Sequence, residues 1–73
     1  FPEALIRAAR KKLAILHAAR DLKDLHAPPG NRLERLKGER KELYSIRIND
    51  QWRIVFRFAG GNAEEVKVED YHR

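Results

Sequence analysis

The chain ends on Asp70-Tyr71-His72-Arg73, an acid, a phenol, an imidazole and a guanidinium in succession. Side chains of these types can accept, donate and shuttle protons near neutral pH, the imidazole most readily. Chain ends are also commonly disordered, so the cluster alone weighs little. The other histidines carry weaker signals: His17 reads as a helix-surface or packing residue and His26 as a loop residue. No pair of histidines or carboxylates has metal-ligand spacing, so no metal and no cofactor is expected. No Gly-rich loop joins a strand to a helix, and no serine or cysteine nucleophile constellation is present.

A second feature is cationic. The stretch Tyr44–Phe58, YSIRINDQWRIVFRF, reads as a β-hairpin whose outward side gathers Arg47, Arg53 and Arg57. A two-residue loop at Asn49-Asp50 would pair Arg47 with Trp52 and scramble both faces. A three-residue loop, Asn49-Asp50-Gln51, pairs Ile48 with Trp52 and Ile46 with Ile54. All the large apolar side chains then share one side, as a half-buried sheet requires. The same register sets Arg47 against Arg53, a like-charge pair that costs about 0.2–1 kcal/mol. Two readings fit such a pair. It is an anion site, or both arginines splay into water and pair with nearby glutamates.

These groups need elements to hold them. FPEALIRAARKKLAILHAARDL (1–22) predicts a helix, with Pro2 in the first turn and Glu3 at the positive end of the dipole. Leu5, Ala9, Leu13 and Leu16, with Ile6 and Leu22 close by, form its apolar stripe, and Arg7, Arg10, Lys11 and Arg20 its solvated side. Pro28, Pro29, Gly30 and Asn31 break the pattern, and Gly38 closes a segment, NRLERL, that fits either a helical turn or an extended lead-in. Three strands follow, around Tyr44–Ile48, Trp52–Phe58 and Glu65–Glu69, the last two joined by a turn at FAGGNA, where Gly60, Gly61 and Asn62 tolerate positive φ. Val66 and Val68 are expected in the core. Two registers of the last strand keep them there, one of which sets Tyr71 opposite Arg53.

Seventy-three residues allow one domain. There is no cysteine, hence no disulfide and no thiolate metal site, which fits a cytoplasmic location. No apolar run is long enough to span a membrane. The chain has no methionine and starts at Phe1, so the natural N-terminus is expected to lie outside this sequence. Net charge is +5 and the pI near 10.0, which makes polyanions the first candidate partners. The excess is central and rich in arginine, whose planar fork suits phosphate. A basic membrane-binding helix needs a free apolar face, and here that face is assigned to the core.

The segment PPGNRLERLKGERKELYSIRINDQWRIVFRF, followed by VEDYH, resembles the HigB branch of the RelE-like toxins of type II toxin–antitoxin pairs. The likeness covers roughly Pro28 to His72. It implies an α+β, RelE-like fold, with an N-terminal helix packed on a small antiparallel sheet. A three-stranded meander is visible, and a further N-terminal strand is expected before Phe1. It also implies a metal-independent endoribonuclease that cuts messenger RNA on the ribosome and so inhibits translation and growth. The implied partners are a helix-turn-helix, HigA-like antitoxin and, for the complex, operator DNA. Position by position, Lys37 matches the lysine of the family's LKG, and Arg53 the arginine after the tryptophan. Asp70, Tyr71 and His72 match the terminal acid–tyrosine–histidine motif. His72 is then a candidate general acid or base. Arg32, Arg35, Arg40, Arg47 and Arg57 are expected to bind RNA or ribosomal backbone. Some relatives carry a histidine three residues before the LKG lysine, where this chain has Glu34. Either Glu34 carries the proton or His72 takes on more. The alternative is a non-catalytic basic RNA- or ribosome-binding module.

Overall fold

The structure, a computed structural model, describes residues 2–27 and 29–70 of the chain. Tyr71 and His72, on which part of the expected site falls, lie outside the described residues.

Helix α1 runs Glu3–Ala18, and its first hydrogen bond joins Ile6 N–H to the Pro2 carbonyl. It stops four residues before the expected end at Leu22. The reason is local. The Asp24 carboxylate accepts the N–H groups of Arg20 and Asp21 at 3.1 and 3.2 Å, and Ala19 is already extended. Short acidic side chains that bond nearby backbone compete with helix continuation. A 3₁₀ turn, Leu22–His26, follows and drops Leu25 into the core.

The strands form one antiparallel sheet in chain order: β1 Glu34–Arg35, β2 Leu43–Arg47, β3 Trp52–Ala59 and β4 Asn62–Asp70. There are thus four strands among the described residues, not three. The segment read as either helical or extended supplies the extra one, β1, preceded by a 3₁₀ turn at Pro29–Asn31. Between β2 and β3 the three-residue loop is present. Ile46 faces Ile54 and Arg47 faces Arg53, as the hydrophobic alternation demanded. Asn49 fixes this turn, its side-chain oxygen accepting the N–H groups of Gln51 and Trp52 at 2.8 Å each. At the next hairpin Ala59 pairs with Asn62, and Gly60 and Gly61 both have positive φ, 59° and 78°. That geometry is the tight turn matching strand twist, and few residues other than glycine or asparagine accept it twice running.

Helix α1 lies over β3 and β4. Leu5, Leu16, Ala19 and Leu25 meet Ile46, Ile48, Ile54 and Phe56 in one buried cluster, edged by Tyr44 stacked on Phe56 with centroids 6.2 Å apart. The stripe is narrower than its spacing suggested. Ile6 and Leu13 are 41% and 38% exposed. Val66, expected in the core, is 40% exposed, while Val68 pairs with Ile54 and stays half-buried. The cause is a β-bulge. Val55 faces Lys67 but Arg57 faces Glu64, so Glu65 and Val66 together oppose Phe56, and Glu65 adopts φ 53°. The register also sets Arg53 opposite Glu69 rather than Tyr71.

One polar group is wholly enclosed with this core. The Asn31 amide donates to the carbonyls of Leu25 and Ala27 at 3.2 and 3.3 Å, and its oxygen accepts from Lys12 Nζ. It ties the loop to the helix. Asn31→Ala, which leaves two carbonyls and an ammonium without this partner, is expected to lose about 1–3 kcal/mol in urea unfolding. Burial first, and the positive charge of Arg47 second, hold the Lys12 ammonium below its ordinary value of 10.5. The unfolded chain therefore binds the extra proton in the alkaline range below 10.5, and stability from this group rises with pH there. Lys12→Met is expected to remove that rise, measured as unfolding midpoint against pH.

Candidate active site

The face of the sheet away from the helix carries the odd-numbered side chains of β2 and β3. Its centre is Arg53, and here one expectation is corrected. Arg53 is not displayed on an open surface but is 4% exposed. It extends across β2 toward β1. Its Nε donates to Ser45 Oγ at 2.7 Å, and its Nη2 donates to the carbonyls of Arg32 and Ser45. Nη1 stands 3.6 Å from Glu34 Oε1. Ser45 is fully buried beneath it.

Each part of this socket comes from a local cause. Ser45 faces Glu34 on β1 and Val55 on β3, which places its hydroxyl between the two strands. Arg32 turns its carbonyl toward Arg53 from a left-handed conformation, φ 44°, that costs a non-glycine residue roughly 1–2 kcal/mol. The facing arginines are tolerated because they part. Arg53 turns to Ser45, Arg32 and Glu34, whereas Arg47 pairs with Asp50.

Three further arginines are likewise engaged. Arg40 meets Glu69 at 2.6 Å, and Arg57 meets Glu42 at 3.2 Å and Glu65 at 3.8 Å. Arg35 donates to the Lys41 carbonyl at 2.8 Å, bracing the β1–β2 connection. Arg40 and Arg57 thus stand against glutamates at the surface. Exposed pairs of this kind contribute only about 0–1 kcal/mol and exchange partners readily. Lys37 lies exposed in the β1–β2 connection, just before the 3₁₀ turn Gly38–Arg40.

The structure therefore brings Arg53 and Glu34 together, two positions singled out in the sequence. Asp70 sits one rung beyond, across from Trp52, and accepts from Gln51 Nε2 at 3.1 Å. Strand parity puts it on the Trp52 side of the ribbon, not with Arg53. Among the described residues no three of His, Asp and Glu gather as metal ligands. Ser45 and Lys12 were missed by sequence reasoning. The one available signal for Ser45 was a small polar residue at an outward strand position, between large neighbours, two rungs from Arg53 on the same face. The arrangement supplies a fixed guanidinium beside a carboxylate.

One helix on a four-stranded antiparallel sheet, with an arginine–carboxylate pair on the face away from the helix, defines a small α+β domain of RelE type. A family model described as "RelE-like toxin of type II toxin-antitoxin system HigB" matches residues 1–72. The chain belongs to this family of HigB-like toxins. It is 45% identical over 63 residues to a Vibrio cholerae protein named "Toxin HigB-1", covering 86% of this chain and 66% of that protein. It is 44% identical over 41 residues to "Endoribonuclease HigB" of Proteus vulgaris, covering 56% and 45%. An uncharacterized protein of Haemophilus influenzae is 29% identical over 71 residues, covering 97% and 70%. The match thus spans just under two thirds of the Vibrio protein's length.

The socket makes a stability prediction separate from any activity. Ser45→Ala deprives a buried guanidinium of a charge-assisted hydrogen bond and is expected to lose about 1.5–3 kcal/mol. Glu34→Gln, whose side chain is 38% exposed, is expected to change stability by less than about 1 kcal/mol. Chemical denaturation of the two variants side by side checks both.

Proposed function

We propose that this protein is the toxin of a type II pair and acts as a ribosome-dependent endoribonuclease on messenger RNA, without a metal ion. A HigA-like helix-turn-helix antitoxin would neutralise it, and the pair would bind operator DNA. The observation that carries the reading is the Arg53–Glu34 pair. A buried, fully oriented cation stands beside a carboxylate on the uncovered face of a fold whose family is one of toxins. The name of the Proteus relative, an endoribonuclease, supports the activity.

The chemistry follows from what RNA itself offers. The ribose 2′-oxygen attacks the adjacent phosphorus as its proton passes to a base, and the bond to the 5′-oxygen breaks as an acid protonates that oxygen. Negative charge builds on the phosphate oxygens between these events. Arg53 and Lys37 are assigned to hold it, since preorganised cations act most strongly where charge develops. Arg53 needs little reorganisation, because three protein oxygens already fix its plane. Glu34 and His72 are the two candidates for proton transfer, Tyr71 is assigned to orient or join it, and Asp70, on the Trp52 side of the ribbon, is assigned to position the terminal residues that follow it. Arg32, Arg35, Arg40, Arg47 and Arg57 would trade their carboxylate and carbonyl partners for backbone phosphates.

Arg53→Ala and His72→Gln are each expected to abolish growth arrest in cells and to slow cleavage about a hundredfold or more in a translation reaction. Arrest as strong as the parent's in both variants would remove this assignment. A binding module without catalysis, the second reading, predicts RNA retention with intact message, which primer extension on the same reactions distinguishes.

A further inference from the structure

Three arginines that rim the uncovered face are already seated against acids. Arg40 meets Glu69 at 2.6 Å, Arg57 lies between Glu42 at 3.2 Å and Glu65 at 3.8 Å, and Arg47 pairs with Asp50. The acids come from separate parts of the chain. Glu42 precedes β2, Asp50 lies in the β2–β3 loop, and Glu65 and Glu69 lie on β4. Glu65 reaches Arg57 from the bulge in β4, at φ 53°, a left-handed conformation that residues other than glycine seldom adopt.

An arginine fork fits a carboxylate and a phosphate by the same geometry, with N–H groups set against paired oxygens. A carboxylate on one of these guanidiniums therefore stands where a phosphate of an RNA backbone would. These acids are placed to be displaced rather than enclosed. Their side chains range from 33% accessible at Glu69 to 99% at Asp50, whereas the Arg53 side chain at the centre is 5% accessible. A rim of bare arginines would bind any RNA by releasing its counterions. Where each arginine must first give up an acid, one anion replaces another and the gain is small.

We infer that Glu42, Asp50, Glu65 and Glu69 are built-in competitors for phosphate. They hold down the affinity of the face for RNA at large, so that contacts at Arg53, rather than bulk charge, decide which RNA stays bound. The inference rests on the ribonuclease reading for RNA as the ligand, but binding alone tests it. The probe is a short oligouridylate, titrated at several salt concentrations against the parent, Glu69→Gln and Glu3→Gln. Glu3 is an exposed acid at the start of α1, across the sheet from this face, and its loss changes the net charge by the same amount. Glu69→Gln is expected to bind about two- to fivefold more tightly than the parent, with a salt slope steeper by up to about 0.7. Glu3→Gln is expected to gain clearly less. In an Arg40→Gln background the advantage of Glu69→Gln over Glu3→Gln is expected to vanish, because the arginine it covered is gone. Glu42→Gln combined with Glu65→Gln uncovers Arg57 and reads the same effect at a second place, should thermal unfolding show that Glu69→Gln disturbs the fold. Equal affinities of Glu69→Gln and Glu3→Gln overturn the inference, as does a Glu69→Gln advantage that persists without Arg40. Failure to bind the probe even after all four acids become amides overturns it too. A parent that cuts no message, with the Arg40-dependent gain still present, removes the ribonuclease reading and keeps the competition.

Discussion

The guanidinium of Arg53, laid flat across β2, is the interaction on which the uncovered face depends. It joins three strands, because it starts on β3, bonds Ser45 on β2 and reaches Arg32 and Glu34 at β1. β1 is only two residues long, and by its own ladder it would hold weakly. The arginine gives it a polar anchor that the apolar core cannot supply, since that core lies on the other side. Burying a cation is costly unless hydrogen bonds replace its water. Here a hydroxyl, two carbonyls and a carboxylate do so. The same contacts leave the group with almost no freedom to turn.

Much of this was legible in the residue pattern. The alternation of Tyr44, Ile46 and Ile48 against Trp52, Ile54 and Phe56 admits only one loop length that keeps them together, and the structure has that loop. The facing of Arg47 and Arg53 followed without further input. What did not follow was where two long side chains go once they face each other. That depends on β1, a strand too short to show a period, and on the left-handed Arg32, which nothing in the sequence announces. The bulge at Glu65 and Val66 was hidden for a similar reason. An extra residue in one strand keeps local alternation plausible in either of two registers, and only the partner strand decides. Helix α1 ends short of Leu22 because the Asp24 carboxylate takes the N–H groups of Arg20 and Asp21, a competition that an apolar stripe does not register.

The arrangement of charge also changes how the basic composition is understood. A surplus of five positive charges suggests bare cations awaiting a polyanion. On the sheet, however, Arg40, Arg47, Arg53 and Arg57 each stand against a carboxylate. The outer pairs are exposed and exchangeable, whereas the Arg53 contacts are enclosed. The face is therefore graded, from a fixed centre to a rim whose partners can be replaced. Lys12 belongs to neither group. Its amino group is drawn inward by Asn31 and kept from its usual proton affinity by that enclosure and by Arg47, so it serves the helix–loop junction.

The irregularity in β4 bears on how the molecule behaves in company. Among the described residues β4 is the longest strand and forms one border of the sheet, the kind of place where a neighbouring chain could add itself and template a fibre. The doubled residues at Glu65 and Val66 interrupt its hydrogen-bonding rhythm midway, and Glu64, Lys67 and Glu69 line it with charge. A second chain offered to that border of the described sheet meets a kinked and charged rail in place of a straight one, which disfavours continuous strand addition there.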